Sequence, residues 1–342
     1  MRPTTLNLEV TGSDEGATNV LCLGTSPAFD NLEDKDLFVQ TFDKYGAQAY
    51  IPKSILIPYD VEEAAFLDDS QTTFPSYPAV LKTPLGSRGD GVFFVSTKPA
   101  AWLLIADNRR RAVSEKGFLE YIKQMKDRLP QWVLQAEVRS KPLLGGRKFH
   151  LRTYVIALEN ATSPGEVKVY VYRETEVRVA GVPMAAFDES NPERDRESHI
   201  TNGACGEGTS RLLMSSPEMR AELGHLTNKL SLFTATFFGR VLLPEFRERC
   251  AEKGGILSEH RGGCAARFAI AGVDIMVDES ENLSVLEVNA NPAAPPADVL
   301  DAAFRNHLVE FGGALARLVV SGGGDTSGGR FADAADTLDD AT

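Results

Sequence analysis

Hydrophobic and polar residues alternate most regularly in two stretches toward the C-terminal end. Over residues 272–278, Val273, Ile275 and Val277 fall on one face of an extended strand, and Asp274 and Asp278 on the other. Over residues 283–289, Leu286 and Val288 oppose Glu287 and Asn289. A four-residue turn between Asp278 and Leu283 joins the two arms as a hairpin and sets Asp274 directly opposite Glu287. Opposed like charges about 5 Å apart destabilise a strand pair. A divalent cation between the carboxylates resolves the conflict, with Asn289 as a third oxygen donor, and an all-oxygen set of this kind suits Mg²⁺. The alternative is an ordinary hairpin whose polar face meets water.

The same alternation runs through residues 148–158, entered by a Gly145-Gly146 turn. Lys148, His150, Arg152 and Tyr154 share one face, and Phe149, Leu151 and Val155 the other. Residues 167–173 and 176–180 predict a hairpin whose second arm presents Arg178. Short strands at 20–23 and 50–57 flank a helix at 33–44, and apolar strands at 79–82 and 92–95 flank a loop rich in glycine. A helix at 117–129 and a strand at 132–138 follow. Ser216 as N-cap with Pro217 at the first helical position starts a helix to about 238, and Asp298 caps another to about 320. The expected organisation is a flexible N-terminus (1–19), an N-terminal lobe (20–78), a central lobe (79–139), a C-terminal lobe (140–320) and a tail (321–342).

Composition narrows the class. With 342 residues, 43% of them hydrophobic, the chain can bury a large core. No run has the length of a membrane span and the start has no signal-peptide core, so the expectation is a cytoplasmic protein with no membrane partner. Cys22, Cys205, Cys250 and Cys264 are spread without a CxxC pair, which fits reduced thiols. Cys250, His260 and Cys264 lack a fourth metal ligand and read as a plain loop. The net charge of −12 argues against nucleic acid as a partner. The tail, with five Asp against Arg330 and few large apolar residues, is expected to be disordered.

Loop chemistry supplies the other half of a site. In Thr83-Pro84-Leu85-Gly86-Ser87-Arg88-Gly89-Asp90-Gly91 the glycines expose backbone N–H groups to phosphate oxygens, and Arg88 can lie over the anion. The spacing is neither a P-loop nor a dinucleotide fingerprint. Its force comes from company: Lys82 on the strand before it, the basic strand at 148–152, and the acidic hairpin.

Together these stretches resemble the ATP-grasp superfamily and, more closely, the tubulin tyrosine ligase-like family. The resemblance is carried, in family order, by Ile51-Pro52-Lys53-Ser54-Ile55-Leu56-Ile57-Pro58, Leu81-Lys82 with Gly86 to Gly91, and Pro142-Leu143-Leu144 with Gly146-Arg147-Lys148-Phe149-His150-Leu151-Arg152-Thr153-Tyr154. His199-Ile200-Thr201-Asn202 and residues 272–289 complete it. It implies an α/β (α+β) ATP-grasp fold with a nucleotide cleft between two sheet-containing lobes. It also implies that Lys53 and Lys82 touch the ATP phosphates, that Gly86, Ser87, Arg88, Gly89 and Gly91 cover them, and that Gln135 and Lys148 hold the adenine. Asp274, Glu287 and Asn289 would hold Mg²⁺. Arg152, Arg178, His199, Thr201 and Asn202 would surround the γ-phosphate and the amino-acid substrate.

There are departures from the family. His150 stands where the family usually has an Asp that holds the ribose. Gln135-Ala136-Glu137-Val138 replaces a Lys-Tyr type hinge, and residues 203–208 are more glycine-rich than the family pattern. The implied activity is an ATP- and Mg²⁺-dependent ligase joining an amino acid to a peptide or protein carboxylate through an acyl phosphate, with tubulin as the leading acceptor. The rivals are a small-molecule amino-acid ligase and a nucleotide-binding pseudoenzyme.

Overall fold

The computed structural model describes residues 7–10, 19–23, 32–68, 78–84, 91–114, 128–143, 145–159, 166–186, 197–201, 209–253, 264–290, 292, 302–324, 326 and 329–334. The first half of the chain forms β1 (Asn7–Val10), β2 (Asn19–Leu23), α1 (Lys35–Lys44), β3 (Ser54–Ile57), α2 (Glu63–Leu67), β4 (Ala79–Lys82), β5 (Val92–Val95), α3 (Lys98–Ser114) and β6 (Trp132–Ala136). Then come β7 (Arg147–Glu159), β8 (Val167–Tyr172), β9 (Glu176–Pro183), β10 (Ser210–Leu213), α4 (Pro217–Leu223), α5 (Thr227–Phe237) and α6 (Leu243–Lys253). The chain closes with β11 (Cys264–Val277), β12 (Leu283–Ala290), α7 (Ala302–Val320) and β13 (Phe331–Asp333).

These strands make two sheets. The smaller has four antiparallel strands in the order β3-β6-β4-β5. The larger is built on the antiparallel pair β11 and β7, in register from Arg267↔Glu159 to Ile275↔Leu151. β2 runs parallel to the first part of β11, and β12 antiparallel to its second part. On the far edge of β7, β8 and β9 lie end to end, with β13 outside β8 and β10 outside β9.

Four expectations from the sequence are corrected here. β8 and β9 are not a hairpin: both run antiparallel to β7, so residues 173–175 interrupt one long edge instead of turning it back. The long strand β7 offers a partner for both apolar stretches at once, and Thr175 is buried within the break. The strands expected to share an N-terminal lobe are divided, β2 going to the larger sheet and β3 to the smaller. Within the stretch expected to be flexible, β1 pairs with β2. The acidic tail contributes β13, whose Phe331 is 1% exposed and packs 5.2 Å from the Tyr172 ring. One buried phenyl ring stabilises by roughly 2–3 kcal/mol, enough to dock a short strand without changing the mean hydropathy of the tail.

The helices explain where the cleft is. One face of the larger sheet, with Phe149, Leu151, Val155, Val273 and Ile275, is sealed by α4, α5 and α1 through Met219, Leu230, Phe237 and Phe42. Ser216 caps α4 with Pro217 behind it, as expected, but the helix breaks at Gly224–Leu226 and passes through a π turn, Phe238–Leu242, into α6. The opposite face is covered only in part. There Tyr154, Ile156, Leu158 and Tyr172 meet Leu315 and Leu318 of α7, while Lys148, His150 and Arg152 stand on the same side of β7 beyond that cluster. The smaller sheet closes this gap, its own back packed on Phe66, Ala101 and Ile105 of α2 and α3. Helix α3 has no counterpart in the sequence reading because its apolar run at 100–105 is continuous, not periodic; Ala101 and Ile105 are buried while Leu103 is exposed. Most of the helix expected at 117–129 lies outside the described residues.

Candidate active site

The uncovered half of the larger sheet and the smaller sheet enclose a cavity of about 180 Å³. Val80 and Lys82 of β4, Phe94 of β5 and Gln135 of β6 form one wall. Lys148 and His150 of β7 with Asp274, Glu287 and Asn289 of the β11–β12 hairpin form the other.

Asp274 pairs with Glu287, as the alternation predicts, but the turn differs. Val277, not Asp278, pairs with Leu283, so the turn is one residue longer. Asp278 leaves the polar row and caps that turn, accepting from the backbone N–H groups of Ser280 (2.8 Å) and Asn282 (2.7 Å). A register shift between Asp274 and Ile275 takes up the extra residue, Leu286, and restores the carboxylate pair. A bulge places two neighbours on one side. Leu286 and Glu287 therefore both line the cavity, while Val285 enters the core and Val288, also in the core, borders both. Leu286 had been expected beside Val288 on the apolar face. Its carbonyl instead accepts from Lys82 Nζ at 3.4 Å, a link between the sheets across the cavity.

Arg152 governs the charge here. Its Nε and Nη2 donate to the two oxygens of Asp274, each at 2.5 Å, and Nη2 stands 4.0 Å from Glu287 Oε1. The side chain crosses Gly272, where a Cβ would lie 3.2 Å from Arg152 Cδ, so glycine clears the path. Burial alone would raise the Asp274 carboxyl, but Arg152 and His150 hold it well below the ordinary range. His150 Nδ1 contacts Thr201 Oγ1, and Nε2 lies 3.3 Å from Asp274 Oδ1 without hydrogen-bond alignment.

Cations line the rest of the cavity. Burial pulls the Lys82 ammonium down to about 8, although Glu287 and Asp274 oppose it. Lys148 donates to Glu137 Oε1 at 3.2 Å; burial lowers this lysine and raises the glutamate. Lys35, at the start of α1, also reaches the cavity and is lowered by burial. Its helix is anchored by Arg128, which pairs with Asp34 (3.3 Å) and Asp36 on either side of it. His199 Nε2 donates to Ala185 O at 2.8 Å, and burial followed by Lys148 lowers its imidazole to about 4, so it is neutral at ordinary pH. Gln135 donates from Nε2 to Ser54 Oγ at 2.9 Å.

Of the other residues singled out in the sequence, Lys53 is exposed and lines a neighbouring groove with Arg139 and Glu279, away from the cavity. Arg178 is buried on β9, where its Nε and Nη2 donate to Glu176 Oε2 at 3.1 and 2.9 Å. Gly91 closes its loop with φ +74°, its carbonyl accepting from Thr83 N at 2.7 Å. Gly86, Ser87, Arg88, Gly89 and Asn202 lie outside the described residues, as do the side chains of Cys250, His260 and Cys264.

The sequence reading missed Lys35, Glu137, Glu176 and Arg211 as parts of this face. Glu137 had a faint signal, two residues beyond Gln135. Lys35 had none, because only the docking of α1 turns it inward.

Among the described residues, no group of three or more His, Cys, Asp and Glu side chains gathers as a metal cage. The candidate donors are two carboxylates and a carboxamide. Asn289 Nδ2 lies 3.4 Å from Asp274 and 3.0 Å from Glu287, and a half-turn of the amide would present its oxygen instead. This all-oxygen set fits a hard divalent cation, with Arg152 as its competitor for Asp274.

Fold and site together define an α+β protein of the ATP-grasp type, with two sheets facing one polar cleft. Residues 29–311 match the model of the tubulin-tyrosine ligase family, and the chain belongs to that family. No curated protein matches the chain. Membership points to a ligase. Among the described residues no helix is long and apolar enough to cross a membrane.

Proposed function

We propose that the protein is an ATP- and Mg²⁺-dependent carboxylate–amine ligase that joins an amino acid to a peptide or protein carboxylate. One observation carries this reading: a single cavity brings Lys82 and Lys148 together with the Asp274–Glu287 pair, cations for phosphate beside anions for a metal. Gln135 and Lys148 would hold the base, and Lys82 the phosphates, covered by Gly86, Ser87, Arg88, Gly89 and Gly91. Asp274, Glu287 and Asn289 would hold Mg²⁺, which when bound neutralises charge on the terminal phosphates.

The substrate carboxylate attacks the γ-phosphorus and the bond to the β-phosphate oxygen breaks, giving an acyl phosphate and ADP. The amine then attacks the acyl carbon, inorganic phosphate leaves, and the amine loses a proton. Such a transfer needs positive charge around the phosphoryl group more than a protein nucleophile. Arg152 and Arg178 would supply it. His199, Thr201 and Asn202 would border the amino-acid substrate; burial and Lys148 make the neutral His199 ring a weak base, so it would act there as a hydrogen-bonding group. Lys53, in the neighbouring groove, would reach phosphate only after moving.

The test is product analysis. Incubation with ATP, Mg²⁺ and pooled amino acids, with tubulin as acceptor, should yield ADP and phosphate in equal amounts with a new amide by intact mass. AMP as the stoichiometric product refutes the mechanism. The net charge of −12 favours a second reading, in which the acceptor is a small carboxylate, because an acidic body gains little from approaching an acidic protein tail. An amide found only with small acceptors selects it.

A further inference from the structure

Strands β7, β9 and β10 lie side by side and carry a second row of polar residues next to the one that contains Asp274. His150 pairs with Arg178, and Arg178 pairs directly with Arg211 of β10. Two guanidinium groups therefore face one another across adjacent strands, the mirror image of the Asp274–Glu287 pair. Opposed like charges are costly unless a counter-ion joins them.

Among the described residues the carboxylate beside them, Glu176, attracts Arg211 at a distance but directs its hydrogen bonds elsewhere. Glu176 is fully buried, and its Oε2 takes both Nε and Nη2 of Arg178 while its Oε1 accepts from Tyr154. Among the described residues, Arg211 Nη1 is shut off from water and has no hydrogen-bond partner. A planar guanidinium with a free donor is costly to desolvate and well shaped for a planar anion. Burial and the neighbouring Arg178 both press on its charge.

We propose that Arg211, with Arg178 beside it, is the receiver of a substrate carboxylate and so sets which end of the substrate enters the cleft. The proposal rests on the ligase reading for the identity of the ligand; the Arg178–Arg211 register and the buried Arg211 donor stand apart from it. Polarity along the sheet then has a direction. The β11–β12 end holds two carboxylates against Arg152 and attracts a cation, and the β9–β10 end holds two arginines against Glu176 and attracts an anion.

The experiment is calorimetric titration of the full chain, in the presence of a non-hydrolysable ATP analogue, with wild type, Arg211→Gln and Arg211→Lys. One arm uses L-tyrosine and L-glutamate against their α-amides. A second uses an N-acetylated glutamyl peptide against its amidated form, and a third uses inorganic phosphate. The expected result is binding of a free carboxylate in the first or second arm, which identifies its source, and little binding of the matching amide. Arg211→Gln should weaken it about 10- to 100-fold, the loss of one charge-assisted partner. Arg211→Lys should fall between, and both variants should keep the wild-type thermal midpoint and analogue affinity. Equal carboxylate affinity in Arg211→Gln overturns the proposal, as does binding of phosphate alone. If the analogue fails to bind wild type while carboxylates still depend on Arg211, the ligase reading fails and the carboxylate site stands.

Discussion

Arg152→Met is the most informative single perturbation, because Arg152 holds a carboxylate that has almost no access to water. Asp274 is 2% exposed and takes two hydrogen bonds of 2.5 Å from Arg152. Without them it retains Asn289 Nδ2 at 3.4 Å and His150 Nε2 at 3.3 Å, neither close enough to replace a bidentate guanidinium. Leaving one member of a buried ion pair uncompensated costs about 3–5 kcal/mol. Urea unfolding followed by tryptophan fluorescence measures it, Trp132 being fully buried. The pH dependence supplies an independent sign. In the wild type the Asp274 carboxyl is lowered, so its contribution is complete above the unfolded value of 3.8 and is lost as pH falls through the folded value. In Arg152→Met, burial is opposed by His150 alone and raises that carboxyl, the folded state binds the extra proton, and stability falls as pH rises. The gap between variant and wild type should therefore narrow on acidification from about pH 7 toward pH 5. Adding Asp274→Asn, which removes the orphaned charge, should recover most of the loss. A cost below about 1 kcal/mol, or a gap that does not change with pH, would show that Arg152 does not hold Asp274 and refute this account of the site.

Glu287→Gln should leave stability within about 1 kcal/mol, since the Glu287 side chain is 35% exposed and 4.0 Å from Arg152, yet reduce ADP release to background; undiminished turnover removes Glu287 from the metal set. Nucleotide affinity should be highest while Lys82 is charged and decline as pH rises through about 8, and this decline should vanish in Lys82→Gln, both read by fluorescence titration with a labelled ATP analogue. The same lysine, lowered from 10.5, makes the unliganded protein gain stability between about 8 and 10.5, so binding and stability should respond to pH in opposite directions. Phe331→Ala should cost about 3–5 kcal/mol and speed amide exchange across Tyr170–Tyr172; a change below 1 kcal/mol would mean that the tail does not dock.

What could be read from the sequence is what depends on near neighbours. A strand turns its side chains over every second residue, so Lys148, His150 and Arg152 shared a face before any partner strand was known. Ser216 and Pro217 marked a helix start for the same reason: a cap is a contact within three residues. Asp274 and Glu287 came out opposite each other, although the reason was only partly legible, since a longer turn and a bulge at Leu286 cancel. Tertiary structure decided the rest. Whether β8 and β9 fold on each other or lie along β7 depends on a partner strand long enough for both, and no local pattern reports that. Glu137 meets Lys148 and Lys35 enters the cavity only because the smaller sheet and α1 dock where α7 stops. Side-chain alternation is a property of the backbone itself, whereas the pairing of charges across a cleft belongs to surfaces brought together from distant parts of the chain.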